Sequence, residues 1–245
     1  MRRGQVEAQL GYLRFSIESE GEEMGESRED TYSDILSGDV EVAEAIKNYE
    51  ERKGLSRKDT ATTNFYGIED EEFLDEVDLA FSTIRTAELF LDPIEMELSV
   101  DYLKEIHRRM FSDVYPDAGK FRSVTSSKRS EFASPAQIER LIDDLFWKLE
   151  NNAFLTKLEE DDDEDFIYEL AYVMGELEAI HPFYDGNGRA IRYFITEMAE
   201  RAGYAIRWDS IDPEQLLEAS IASIDGDYQA LVDVLDEVTF PIEED

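Results

Sequence analysis

The sequence predicts a mainly α-helical protein with one small β-hairpin and a short run of three helices ahead of the main bundle. Three observations point there. Apolar residues recur at steps of three and four in segment after segment, the spacing that buries one face of a helix. Helix punctuation stands where those segments begin and end: Ser134-Pro135 and Asp212-Pro213 open two of them, and Gly21, Gly38 and Gly203 close three. One internal stretch, residues 115–134, loses the helical period and carries short strand-like runs instead.

The first expected helix covers residues 5–20, with Val6, Leu10, Leu13 and Ile17 as a narrow apolar seam and Gly21 as its left-handed end. Ser16 and Glu20 are four apart and so share a face. A second helix is expected over Asp30–Leu36, closed by Gly38. A third runs from Asp39 as N-cap through Val42, Ala43, Ile46 and Tyr49. Three short helices make too small a core to stand alone, so residues 1–53 should pack on the rest. Residues 52–63 have no apolar period and read as a linker, basic at Arg52, Lys53, Arg57 and Lys58.

A main domain is expected over residues 64–240. Phe73, Val77, Ala80, Ile84, Ala87 and Leu91 mark its first long helix, which Asp92-Pro93 ends. Ser99 caps the next, with Leu103, Ile106 and Met110 inward; His107 on that helix reads as a packing residue. Phe121–Thr125 and Glu131–Ala133 are expected as two short strands around a polar tip. Ile138, Leu141, Ile142, Leu145 and Leu149 then give a helix face. Residues 159–165 are seven consecutive acids, read as a solvated loop, since they lack the glycine and alternation of a calcium loop. Phe166, Leu170, Val173, Met174, Leu177 and Ile180 carry a helix to His181. A further helix buries Ile191, Phe194, Ile195 and Met198, and two more follow through Leu216 and Ile221 and through Leu231 and Leu235.

The charge is the unusual number: 60 acidic against 24 basic residues, a net −36. Such a surface repels nucleic acid and anionic membranes and excludes both as partners. It also repels ATP at long range, a field that salt confines to about 3 Å at 1 M. The charge is read as adaptation to a salty cytoplasm; 16 Arg against 8 Lys fits that habit. With no cysteine, no disulfide or thiolate metal site is possible. No long apolar run indicates a membrane span, no signal peptide is recognised at the start, and the cytoplasm is the expected location.

The chemistry gathers in His181-Pro182-Phe183-Tyr184-Asp185-Gly186-Asn187-Gly188-Arg189-Ala190-Ile191-Arg192. A polar loop runs straight into an amphipathic helix, whose first backbone amides favour an anion. Gly186 and Gly188 allow a concave backbone and leave no side chain in a phosphate's way. Arg189 and Arg192 add two cations three apart on the helix. His181 is a candidate base, and Asp185 a hard oxygen ligand.

This stretch resembles the Fic motif, His-Pro-Phe-x-(Asp/Glu)-Gly-Asn-Gly-Arg-x-x-Arg, and matches it at every fixed position. The resemblance implies a mainly α Fic-type bundle that transfers AMP from ATP to a Tyr, Ser or Thr hydroxyl of a target protein. It implies His181 as general base, Asp185 as Mg²⁺ ligand, Gly186, Asn187, Gly188 and Arg189 around the α- and β-phosphates, and Arg192 on the γ-phosphate. Phe183 would anchor the loop. It places a flap at Phe121, Arg122, Ser123, Val124 and Phe132, where an extended target segment would pair. It also implies that Asn64 to Ile68 contribute to the adenine side of the pocket.

Ser16-Ile17-Glu18-Ser19-Glu20-Gly21 resembles the Fic inhibitory pattern, (Ser/Thr)-x-x-x-Glu-(Gly/Asn). Residues 1–53 are thus similar to the small antitoxin of one Fic class, fused ahead of its toxin. The resemblance implies that Glu20 pairs with Arg192 and takes the γ-phosphate's seat. Relatives of that class modify gyrase and topoisomerase subunits, which makes those the first expected targets, with self-modification as another. Two alternatives remain open at this stage: a Fic enzyme that uses another donor (UMP, phosphocholine or phosphate), and a catalytically silent acidic binding protein on the same fold.

Overall fold

The structure, a computed structural model, describes residues 3–58, 63–125, 132–156 and 163–242. Among them the helical periods become ten α-helices: α1 Arg3–Glu18, α2 Gly25–Ser37, α3 Val42–Lys53, α4 Glu71–Leu91, α5 Val100–Phe111, α6 Pro135–Asn151, α7 Asp163–Ile180, α8 Asn187–Arg201, α9 Pro213–Ile224 and α10 Gln229–Asp236. Two three-residue strands, β1 Tyr204–Ile206 and β2 Thr239–Pro241, complete a mainly α fold with a small antiparallel sheet. No described helix is long and apolar enough to cross a membrane.

The chain divides into two compact units, Met1–Glu95 with His107–Gly119 and Met96–Ile106 with Lys120–Asp245. In the first, α1, α2 and α3 all pack against α4. Leu13, Phe15 and Ile17 of α1, Ile35 of α2 and Val77, Phe81 and Leu89 of α4 are fully buried. Each such side chain contributes about 1.5–3 kcal/mol relative to exposure. Tyr12 meets Phe90 edge-on at 5.4 Å, and Tyr66 stacks on Phe81 at 5.8 Å. The three short helices therefore share a core with α4, and the packing boundary does not fall at the expected linker.

Local chemistry sets the ends of these helices. α1 stops at Glu18, two residues early, because Glu20 N–H turns back to the Ile17 carbonyl at 3.1 Å. Gly21 then takes the left-handed conformation the sequence predicts (φ +84°). Asp39 is not the N-cap of α3. Its N–H and that of Val40 both bond the Asp34 carbonyl at 2.8 and 3.2 Å, finishing α2 behind a left-handed Gly38. Glu41 takes the cap position in extended conformation, and Ala43 faces solvent. Asp70 caps α4 as a side-chain acceptor from Phe73 N–H at 2.9 Å. Asn64 is buried and organises its own turn, accepting from Tyr66 and Ile68 N–H and donating to the Ile68 carbonyl. His107 is a satisfied core histidine: Nδ1 accepts from Gly119 N–H at 2.9 Å.

In the second unit α7 is central, packed on α6, α8, α9 and α10. A Cβ at Gly175 of α7 would meet Ser223 Oγ at 2.8 Å and Tyr228 Cε1 at 2.9 Å, so only glycine lets α9 and the start of α10 approach. β1 pairs with β2 in the register Tyr204↔Pro241, Ala205↔Phe240, Ile206↔Thr239. Tyr204 stacks on Phe166 at 4.1 Å.

The sheet is not where the sequence placed it. Residues 121–125 and 132–133 form no strand; residues 126–131, the expected tip, lie outside the described residues. The backbone there pairs elsewhere. Arg122 N–H bonds the Pro182 carbonyl at 2.8 Å, and Ala133 N–H bonds the Ala179 carbonyl at 3.0 Å. The end of α7 and the loop after it take up these hydrogen bonds, so the two runs flank that loop, and among the described residues no backbone hydrogen bond joins one run to the other.

Candidate active site

α7 ends at Ile180 and α8 starts at Asn187, and the loop between them carries the polar groups. His181 closes α7, its N–H on the Leu177 carbonyl at 2.9 Å. Its φ is +47°, a conformation that costs a residue with a Cβ on the order of 1–2 kcal/mol. Two neighbours hold it there. Phe132 stacks on the imidazole at 3.8 Å with a 7° interplanar angle. Arg122 donates from Nε to the His181 carbonyl at 2.6 Å and from Nη2 to the Ile180 carbonyl at 3.2 Å. The same guanidinium reaches the Ala133 carbonyl at 2.6 Å and the Val124 carbonyl at 2.9 Å. Arg122 is buried, and burial pulls its guanidinium below its ordinary value.

Phe183 is fully buried, 5.8 Å from Phe121, and anchors the loop as the motif implies. Asn187 brackets it: Phe183 N–H donates to Asn187 Oδ1 at 2.8 Å, and Asn187 Nδ2 donates to the Phe183 carbonyl at 2.9 Å. Asp185 is half-buried and accepts from Gly186 N–H at 2.9 Å. Gly186 is left-handed (φ +71°) and is the N-cap of α8, with no side chain over the helix end. The helix ladder begins with Ala190 N–H on the Gly186 carbonyl at 3.1 Å, so the amides of Asn187, Gly188 and Arg189 precede it. A Cβ on Gly188 would lie 3.1 Å from Arg192 Nη1. Arg189 and Arg192 are each 6% exposed, so the first turn and a half of α8 carries two largely desolvated cations.

The back of α8 is braced by residues the sequence reading did not single out. Trp208 Nε1 donates to Thr196 Oγ1 at 2.9 Å, and that hydroxyl donates to the Arg192 carbonyl at 2.8 Å. Tyr102 donates to Glu197 at 2.7 Å. The only sequence signal was a tryptophan and a threonine near an amphipathic helix, which is not enough to predict a brace.

Among the described residues no group of three or more His, Asp or Glu could hold a metal by itself. Asp185 fits Mg²⁺ in another way, as the single protein carboxylate of an ion held mainly by phosphate and water. The expected site residues of the second unit are thus brought together at one loop: His181, Asp185 to Arg192, Phe121, Arg122 and Phe132. Ser123 and Val124 are exposed beside them in sequence. Ser16 and Glu20 belong to the first unit: Ser16 is buried on α1, and Glu20 lies in an exposed turn beyond its end.

A helical bundle that fixes a histidine, a carboxylate, two buried arginines and a glycine-rich helix start on one loop defines a candidate nucleotide-handling site. A sequence model of the Fic/DOC family matches residues 97–199. The chain is 40% identical over 164 residues to Protein adenylyltransferase VbhT of Bartonella schoenbuchensis, covering 66% of this chain and 34% of VbhT, so it spans about a third of that relative's length. It is 32% identical over 169 residues to "Probable protein adenylyltransferase y4lH" of Sinorhizobium fredii, covering 69% of this chain and 85% of that protein. The N-terminal Fic domain of a VirB-translocated Bep effector protein from Bartonella quintana, solved with bound ADP, superposes with a TM-score of 0.68 at 25% identity, covering 78% of this chain and 96% of that one. The chain belongs to the Fic/DOC family.

Proposed function

We propose that this protein is an adenylyltransferase that moves AMP from ATP to a hydroxyl side chain of a target protein. One observation carries the reading: the buried pair Arg189 and Arg192 stands on the first turns of a helix whose N-cap has no side chain, one loop away from His181. The names of the relatives and the ADP bound to the Bartonella quintana domain support it.

In this reading the leading amides of α8 and Arg189 hold the α- and β-phosphates, and Arg192 the γ-phosphate. The target oxygen attacks the α-phosphorus, the bond from that phosphorus to the oxygen bridging to the β-phosphate breaks, and pyrophosphate leaves. His181 takes the proton of the attacking hydroxyl as general base. Mg²⁺ held by Asp185 and phosphate oxygens would neutralise the charge of the leaving group. Arg122 and Phe132 orient the base, and Phe121, Ser123 and Val124 lie where a target segment would dock.

Residues 1–53 act in this reading as a fused inhibitory segment. The pattern from Ser16 to Gly21 supports it, with the Glu20 carboxylate taking the γ-phosphate's seat on Arg192. The acidic surface supports a salty cytoplasm as the working medium, and a gyrase or topoisomerase subunit is the first target to try.

The test is transfer of label from α-labelled ATP to host lysate proteins in high salt, with mass spectrometry of the product. Labelling by the natural chain, stronger labelling by Glu20→Gly and none by His181→Ala are expected. Equal labelling by the natural chain and Glu20→Gly removes the inhibitory reading. Labelling only from UTP or CDP-choline changes the donor, and nucleotide binding with no transfer from any form removes the enzyme.

A further inference from the structure

The first unit holds a cavity of about 520 Å³ lined by α2, α3 and α4. That volume suits a small organic molecule. Its floor is aromatic and apolar, with the nearly buried rings of Tyr32 and Tyr49 beside Ile84. Its rim is basic, with Arg28, Arg52 and Lys53. Asp34 and Glu76 are the carboxylates of the lining, so three cations face two anions. In a chain with 24 basic and 60 acidic residues this is a local reversal of sign.

The three cations differ in what they already hold. Lys53 pairs with Glu76 at 2.5 Å. Arg28 donates to the Glu23 carbonyl at 2.8 Å and to Glu22 at 3.1 Å. Arg52 makes no ion pair among the described residues; its guanidinium lies 5.2 Å over the Tyr49 ring. Asn48 adds an exposed amide to the same lining. Burial pushes the Tyr32 phenol up, while the guanidiniums of Arg28 and Arg52 pull it the other way, so both cations act on the cavity floor.

We propose that this cavity binds a small organic anion with an aromatic body, its ring over Tyr32 and Tyr49 and its charge on Arg52. The shape separates this ligand from simpler ones. An inorganic anion would fill only the rim and leave an apolar floor wet. A neutral aromatic would leave the Arg52 guanidinium, which makes no ion pair among the described residues, without a counter-charge. The ring and the charge together meet both parts of the lining, by stacking and by a charge-assisted hydrogen bond. The site lies wholly within the first unit and uses none of the residues from His181 to Arg192, so it stands whether or not the adenylyl-transfer reading does.

The probe is phenyl phosphate, titrated into the full chain in one fixed salt buffer and followed by calorimetry and by the Arg and Tyr side-chain NMR signals. Inorganic phosphate and phenol are the controls for charge alone and ring alone. Saturable one-to-one binding is expected, shifting Arg52 and the two tyrosines, with each control weaker by about tenfold or more. Arg52→Gln is expected to weaken phenyl phosphate about tenfold, and Arg52→Lys, which keeps the charge, to lose less. Arg52 is exposed at the end of α3, so both variants should keep the helix content that circular dichroism reads. No saturable binding, equal affinity in Arg52→Gln, or phosphate binding as tightly as phenyl phosphate would each overturn the assignment.

Discussion

The guanidinium of Arg122 donates to the carbonyl of His181 at 2.6 Å, and its other nitrogens reach the carbonyls of Ile180, Ala133 and Val124. One buried side chain therefore ties the end of α7 to both sides of the segment that flanks it. Arg122→Lys keeps the charge but cannot fork to four oxygens. Stability should fall by about 2–4 kcal/mol, since buried acceptors lose a charged donor. Thermal unfolding measures that loss. A role in orienting the base adds a second readout: kcat should fall while KM for ATP stays within about threefold.

His181 holds its position at a positive φ, so two substitutions at this site should differ in stability. His181→Ala keeps the backbone penalty; His181→Gly removes it. The glycine form should be the more stable by about 1 kcal/mol, after the greater freedom of its unfolded chain is counted. Denaturant titration of the pair tests this. An alanine form that is equally stable would mean that His181 is not strained.

Gly188 sits inside α8 with ordinary helical geometry, and its missing Cβ would lie 3.1 Å from Arg192 Nη1. Gly188→Ala should strengthen the helix by roughly 0.5–1 kcal/mol. It should also push the guanidinium out of place and weaken ATP binding about tenfold, from the loss of one charge-assisted contact. A higher melting temperature together with a weaker calorimetric Kd is the expected signature.

With a net charge of −36 the chain should bind ATP better as salt rises, the reverse of an ordinary cationic nucleotide site. The screening length falls from about 10 Å at 0.1 M to about 3 Å at 1 M, which removes distant repulsion before it touches the buried Arg192 contact. KM for ATP measured across that range should fall, then level. A KM that rises throughout would show that the local cations dominate at all salts.

The helices were legible because their signals are local: Ser99 caps α5 and Gly38 closes α2 where expected, and Gly21 takes its expected left-handed turn just past the early end of α1. The site loop was legible because its residues are contiguous. What could not be read was pairing between distant segments. Phe121–Thr125 has the composition of a strand, but its Arg122 amide meets Pro182, some sixty residues on, and no sequence period encodes that choice. The β1–β2 sheet is three residues per strand and joins positions 204 and 241, too short and too far apart for a pattern. α1 buries Gln9, Tyr12, Phe15 and Ser16 beyond its predicted seam, because α2 and α4 cover it from two sides.

The bracket between Asn187 and Phe183 bears on how the protein ages. Asn187-Gly188 is an asparaginyl-glycyl step, the pairing most prone to spontaneous deamidation, in which the following backbone nitrogen attacks the side-chain amide carbon. Here both ends of that amide are tied to one backbone residue and the peptide is wound into a helix, so the attacking atom cannot reach its target. Chemical decay at the heart of the loop is thereby coupled to its opening, and the shelf life of the protein becomes a measure of how seldom the start of α8 unwinds.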